Sequence, residues 1–212
     1  MGLRVLHEDP RLIAVDKPSG QPVIPGRGAA GEGALVEQVS RHLESKAFVV
    51  HRIDRETSGI VLFAKDAAAH RELCLLFEAG RVEKTYQALV LGTVSRNGRI
   101  DKPLREFGSG RTGVAEGGKH SCTVYNVVES LRGATLLAVE PRTGRRHQIR
   151  AHLYSIGHPV LGDKLYGKPV PVGGAARLML HAHRLRLGWG RSRLELESPL
   201  PKDFAAAIES FR

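Results

Sequence analysis

The sequence predicts an α+β protein: a mixed, mainly antiparallel sheet with flanking helices. Three observations lead there. Short apolar, β-branched runs recur along the 212 residues. Helical patterns fall between only some of these runs, so the strict alternation of a doubly wound parallel sheet is missing. From Lys84 onward strand runs follow strand runs, as they do when sequence neighbours pair antiparallel.

Taken in order, Leu12 to Val15 reads as the first strand. Leu35, Val36, Val39 and Leu43 then recur at helical spacing. Gly59 to Ala64 is almost wholly apolar, as expected of a strand buried on both faces. Asp66 is placed to cap a second helix that carries Leu73, Leu76 and Phe77 and ends at Gly80. Strands are expected over Thr85 to Leu91, Cys122 to Val128 and Thr135 to Val139. Ile149, Leu153 and Ile156 mark a third helix, stopped by Gly157. Leu178 to Leu187 and Leu194 to Leu196 read as strands, and Phe204, Ile208 and Phe211 as a last helix. No repeat and no linker divides the chain, so residues 1–212 are expected to form one domain. Two Gly-rich stretches, Gly20 to Gly33 and Gly108 to Gly118, suit either loops over a site or surface insertions.

Charge narrows the partner. Lys and Arg number 32 against 22 Asp and Glu, which leaves +10. Between Pro141 and Leu194 there are 11 basic side chains and one acid, Asp163, while the rest of the chain carries 21 of each sign. That distribution argues against an acidic tail or an acidic calcium module. It fits a phosphate-binding surface as well as it fits a solvated basic face. Cys74 and Cys122 lack CxxC spacing, which suits a reducing compartment. No apolar run is long enough for a membrane span or a signal peptide, so a soluble cytoplasmic protein is expected.

Four segments could carry chemistry. In His51-Arg52-Ile53-Asp54-Arg55-Glu56-Thr57-Ser58-Gly59, a carboxylate lies between two guanidinium groups just before a buried strand. Such a carboxylate stays ionised, which suits a nucleophile or base and not a general acid; a structural ion-pair loop has the same local chemistry. In Arg142-Thr143-Gly144-Arg145-Arg146-His147-Gln148-Ile149-Arg150, arginines crowd a helix start, where the macrodipole favours anions. A bound phosphate would compensate them. Arg150 lies about 100° from Ile149 on the helical wheel, so it can reach inward to a carboxylate, with Arg146 and His147 facing out. Tyr86, in Lys84-Thr85-Tyr86-Gln87-Ala88, shares a strand face with Ala88 and Val90 and by itself reads as a core tyrosine. His181-Ala182-His183 lacks the companions of a zinc site, and no metal is expected. Neither GxGxxG nor GxxxxGK[ST] occurs, so no nucleotide cofactor is expected.

Together these blocks resemble the RluA family of RNA pseudouridine synthases. The resemblance runs in order through EDPRLIAVDKPSGQPV, HRIDRETSGIVLFAK, KTYQALVLG, RTGRRHQIRAHLYSIGHPVLGDKLYG and LHAHRL. It implies the pseudouridine synthase fold with a central active-site cleft, and no cofactor. Asp54 then matches the catalytic aspartate, Tyr86 the tyrosine that stacks on the target base, and Arg150 the arginine that pairs with the carboxylate. Arg52 matches the arginine that enters the RNA stack as the uridine leaves. His51, Arg55, Thr57, Arg145, Arg146, His147 and Gln148 are expected on the substrate side. Asp16 stands where many relatives carry asparagine, and the separate N-terminal S4 RNA-binding domain of many relatives is not seen. The partner implied is structured RNA, large-subunit ribosomal RNA or transfer RNA, handled by a monomer without an obligate protein partner. A non-catalytic RNA-binding protein on the same fold, and a hydrolase using Asp54, remain as alternatives. The first leaves the joint presence of Asp54, Tyr86 and Arg150 unexplained. The second lacks the partner carboxylate usual in glycosidic hydrolysis.

Overall fold

The computed structural model describes residues 2–26, 33–167 and 175–212; residues 27–32 of the first Gly-rich stretch lie outside them. In chain order the elements are β1 (Val5–Glu8), β2 (Leu12–Lys17), α1 (Leu35–His42), β3 (Phe48–Val49), β4 (Ser58–Ala64), α2 (Ala67–Glu78), β5 (Glu83–Leu91), β6 (Gly98–Asp101), β7 (Leu104–Glu106) and β8 (Thr112–Val114). They continue with β9 (Cys122–Leu131), β10 (Ala134–Pro141), α3 (Gln148–Ser155), β11 (Leu180–Trp189), β12 (Ser192–Glu197) and α4 (Lys202–Glu209). The α+β class with mainly antiparallel strands is as expected. Each strand and helix read from sequence is present within a few residues. The strands absent from that reading (β1, β3, β6, β7 and β8) have two to four residues each and carry few buried side chains.

The chain, expected as one domain, divides into two compact units: residues 1–84 with 182–199, and residues 85–181 with 200–212. The chain crosses between the units three times: within β5, within β11, and between Pro199 and Leu200 in the short loop that joins β12 to α4.

In the first unit β2 pairs antiparallel with β1 and β4, and β12 with β11. Leu12 and Ala14 join Ile60, Leu62 and Leu73 in one apolar cluster. Their alternates Ile13 and Val15 join Val61, Phe63, Leu35 and Val39 in a second. Strands β2 and β4 are thus buried on both faces, which is why their sequences show no polar alternation. Helix α2 starts where expected: Asp66 Oδ1 accepts the Ala69 N–H at 2.8 Å. Gly59 has φ +112°, and a Cβ there would collide with the Ala182 backbone, so this position takes only glycine.

In the second unit β10 pairs antiparallel with β5 and β9, and β9 with β6. Strands β7 and β8 form a separate hairpin. Helices α3 and α4 contribute Ile149, Leu153, Phe204 and Ile208 to a core shared with Leu89, Leu137 and Val139.

Candidate active-site elements

In the first unit the predicted residues lie on the loop from 51 to 57. A turn closes it, with the Thr57 N–H donating to the Asp54 carbonyl at 3.1 Å. The half-buried Asp54 sits on this turn. The loop is tied down from below by Lys17, which is 0% exposed. Its ammonium donates to the carbonyls of Pro18, Gln21 and Arg55 at 2.8–2.9 Å, so the three donors of a buried charge are used. Arg55 adds a second tie through Nε to the Gly20 carbonyl at 2.8 Å, so its stem serves the loop while its surface stays exposed. Arg52 is exposed and forms no ion pair among the described residues. Thr57 is buried, and its hydroxyl has no hydrogen-bond partner among the described residues.

His51 was expected on the substrate side, but the structure gives it scaffold work. Its Nε2 accepts the Leu62 N–H at 3.0 Å, and its ring stacks on Phe77 at 4.6 Å. Burial, helped by the Lys84 charge, pushes the imidazole down to about 3. Below the ordinary histidine value the unfolded chain takes up a proton that the folded chain refuses. Stability is therefore expected to fall by up to roughly 1.4 kcal/mol per pH unit from near pH 6 to near pH 3. His51→Asn should be less stable than the parent at pH 7, by a margin that narrows as pH falls. Urea midpoints at pH 7, 5 and 4 measure this; a constant margin would contradict a neutral ring.

In the second unit Tyr86 lies on β5 opposite Val139 of β10, half-buried beside the buried Ala88. The entry to α3 holds the other predicted residues. Gln148, expected to touch RNA, is 3% exposed. Its Nε2 donates to the Cys122 carbonyl and to Thr123 Oγ1, and its Oε1 accepts from Thr143 Oγ1 and the Arg145 N–H. The amide is spent on fixing the helix start, a role that the four satisfied contacts explain. His147 was expected to face outward; it is half-buried, in a left-handed conformation at φ 51°, with Nδ1 3.2 Å from the Tyr166 hydroxyl. Arg145 and Arg146 are exposed as expected. Arg146 pairs with Glu106 of β7 at 3.3 Å, and Arg145 Nε donates to the His120 carbonyl at 3.3 Å.

Arg150 does turn inward, and it meets a carboxylate that the sequence did not suggest for it. Nε donates to Asp163 Oδ2 at 2.7 Å and Nη2 to Oδ1 at 2.8 Å. The residue is 5% exposed.

The basic segment is less uniform in space than in sequence. Arg142, Arg177, Arg184, Arg186 and Arg193 each pair with an acid outside the segment. Exposed pairs of this kind are worth little and exchange readily for phosphate. Conversely, Arg96, Arg99, Lys102 and His158 line an open cleft of about 540 Å³ in the second unit, and three of these four lie in the part of the sequence that sums to zero.

Against this geometry the comparisons are specific. The family model described as RNA pseudouridylate synthase matches residues 11–155. The chain is 38% identical to the "Ribosomal large subunit pseudouridine synthase D" of Nitrosomonas europaea, covering 99% of this chain and 65% of that protein. The corresponding protein of Pseudomonas aeruginosa is 34% identical, with 72% of its length spanned. A Zymomonas mobilis protein named as an uncharacterized RNA pseudouridine synthase is 37% identical over 95% of both chains. Among solved structures, human RNA Pseudouridylate Synthase Domain Containing 4 is similar with a TM-score of 0.82 and 26% identity, over 98% of this chain and 92% of that one. Asp54, Tyr86 and Arg150 all lie within the matched span, and the chain belongs to the RNA pseudouridylate synthase family, on its RluA branch.

Proposed function

We propose that the protein isomerises uridine in RNA to pseudouridine, with Asp54 as catalytic carboxylate, Tyr86 as the stacking platform for the target uracil and Arg150 as the cation serving the carboxylate. The observation that supports this is the family match over residues 11–155, the span in which all three residues lie. The C1′–N1 bond breaks, the freed uracil turns, and C5 joins C1′ while the C5 proton leaves to water and N1 takes up a proton in its place. An ionised Asp54 suits attack on C1′ or removal of the C2′ proton. Nothing in the bond balance calls for a cofactor. A uridine inside folded RNA must first be extruded, at a cost of a few kcal/mol, and the exposed Arg52 is free to enter the gap. Stacking on Tyr86 returns roughly 1–3 kcal/mol.

Large-subunit ribosomal RNA is the substrate class we favour, because the Nitrosomonas and Pseudomonas relatives are named for it. Chromatography of nucleoside digests tests this after incubation with ribosomal or transfer RNA transcripts. Pseudouridine in the ribosomal transcript supports the proposal. Free uracil would favour the hydrolase, and unchanged uridine despite tight binding would favour a non-catalytic binder.

Arg146 should contribute through the RNA backbone. Arg146→Ala is expected to weaken binding across sequences and to reduce the slope of log K against log salt by about 1. Titrations at several salt concentrations measure it, and an unaltered slope would remove Arg146 from the phosphate contacts.

A further inference from the structure

The run Gly162-Asp163-Lys164-Leu165-Tyr166-Gly167 belongs to the family-like blocks, yet the proposed chemistry gives it no task. Its geometry supplies one. Asp163 is the sole acid between Pro141 and Leu194, and its side chain is 0% exposed. Such a carboxylate is costly to bury unless its lone pairs are filled. Here four donors fill them: Nε and Nη2 of Arg150, and the backbone N–H groups of Leu165 and Tyr166 at 2.9 and 3.0 Å. The turn that delivers Asp163 depends on Gly162, at φ +72°, where a Cβ would collide with the Arg177 carbonyl.

Tyr166 completes the arrangement. Its ring is 2% exposed and lies 5.2 Å from the Arg150 guanidinium carbon. Its hydroxyl accepts the Thr112 N–H of β8 at 2.7 Å and sits 3.2 Å from His147 Nδ1. Burial pushes the phenol above its ordinary value, so the hydroxyl stays protonated over the working range. One ring therefore braces the guanidinium, the α3 entry and the β7–β8 hairpin.

A buried ion pair gives a fold little net stability compared with apolar packing of the same shape. What this pair does give is direction. A bidentate carboxylate fixes a guanidinium in its own plane, and an aromatic face against it stops the plane from tilting. We propose that Asp163 and Tyr166 are positioning residues for Arg150, the carboxylate holding one edge of the guanidinium and the ring one face. This rests on Arg150 belonging to the catalytic set.

The test is a double-mutant cycle on the single-turnover rate of tritium release from RNA labelled at uracil C5, at saturating RNA. Asp163→Asn keeps the shape and removes the charge. It should slow the step by about 10²-fold, the penalty of a group held about 1 Å out of place. RNA affinity should stay within about twofold of wild type. In an Arg150→Ala background the same substitution should change the rate by less than about twofold, because residues that act through one group are not additive. Tyr166→Leu keeps the charge pair and carries the same cycle if the asparagine variant does not fold; it should lose about tenfold, again only when Arg150 is present. Wild-type rates in both variants, or losses that multiply with that of Arg150→Ala, would overturn the proposal. A merely structural role would confine the non-additivity to the melting temperature and leave the single-turnover rate of the folded variants near wild type. A wild type that releases no tritium rejects the catalytic assignment itself and takes this proposal with it, whereas failure of the positioning role alone leaves the wild type active.

Discussion

Asp54→Asn should reduce turnover to background while leaving RNA binding within about twofold of wild type. Asparagine has nearly the shape of aspartate, but its amide can neither attack C1′ nor accept the C2′ proton. The loop also has ties that do not use the carboxylate. It is closed by the Thr57 N–H to the Asp54 carbonyl and held from beneath by the Lys17 ammonium on the Arg55 carbonyl. The melting temperature should accordingly change little. Binding titrations beside single-turnover rates separate the two effects. Loss of binding and turnover together, with a lowered melting temperature, would mean that Asp54 is part of a structural ion-pair loop.

Arg150→Ala should lose both turnover and stability. Removing the guanidinium leaves the Asp163 carboxylate with only the backbone amides of Leu165 and Tyr166, in a place with no solvent access. Breaking a buried pair from one side costs about 3–5 kcal/mol. Arg150→Lys should recover part of the stability, because an ammonium still offers a positive charge. It should recover little of the rate, because a point charge cannot reproduce the two-pronged fork. Urea unfolding and single-turnover kinetics on the same preparations check this. A lysine variant with wild-type turnover would mean that charge alone, and not orientation, is what Arg150 supplies.

The elements legible from sequence are those whose side chains decide the outcome locally. The apolar runs of β2 and β4, the Asp66 cap and the stop at Gly80 each depend on neighbours within a few residues. The short strand β6 depends on pairing with β9, and β7 and β8, which pair with each other, carry too few buried side chains to show a pattern. The division into two units was invisible for a related reason. Two of the three crossings fall within β5 and β11, where strand propensity continues unbroken, and the third falls in the short Pro199-Leu200-Pro201 loop.

At the candidate site, composition identified residue types, and ordered blocks supplied their expected roles. What sequence did not supply were contacts made across long separations. Lys17 serves Arg55, 38 positions away, and Tyr166 serves Thr112, 54 positions away. His51 and Gln148 look like surface donors in sequence, and both are occupied by backbone groups and neighbouring side chains instead. The inward turn of Arg150 followed from its position on the helical wheel, but its Asp163 partner lies after the helix and a turn that only Gly162 permits. The basic segment is also less isolated in space than in sequence, because Asp203, Glu197, Glu195 and Glu83 from outside it pair with four of its arginines.

The proposed reaction joins uracil C5 to C1′ using the Asp54 carboxylate. Pseudouridine has the mass of uridine, so the event to follow is expulsion of the C5 hydrogen. Transcripts of large-subunit ribosomal RNA and of transfer RNA, labelled with tritium at C5, are offered separately to the wild type and to Asp54→Asn. The account predicts tritium in water with the wild type on the ribosomal transcript and none above background with the variant. Equal release by both proteins, or no release by the wild type from either RNA it binds, would contradict it.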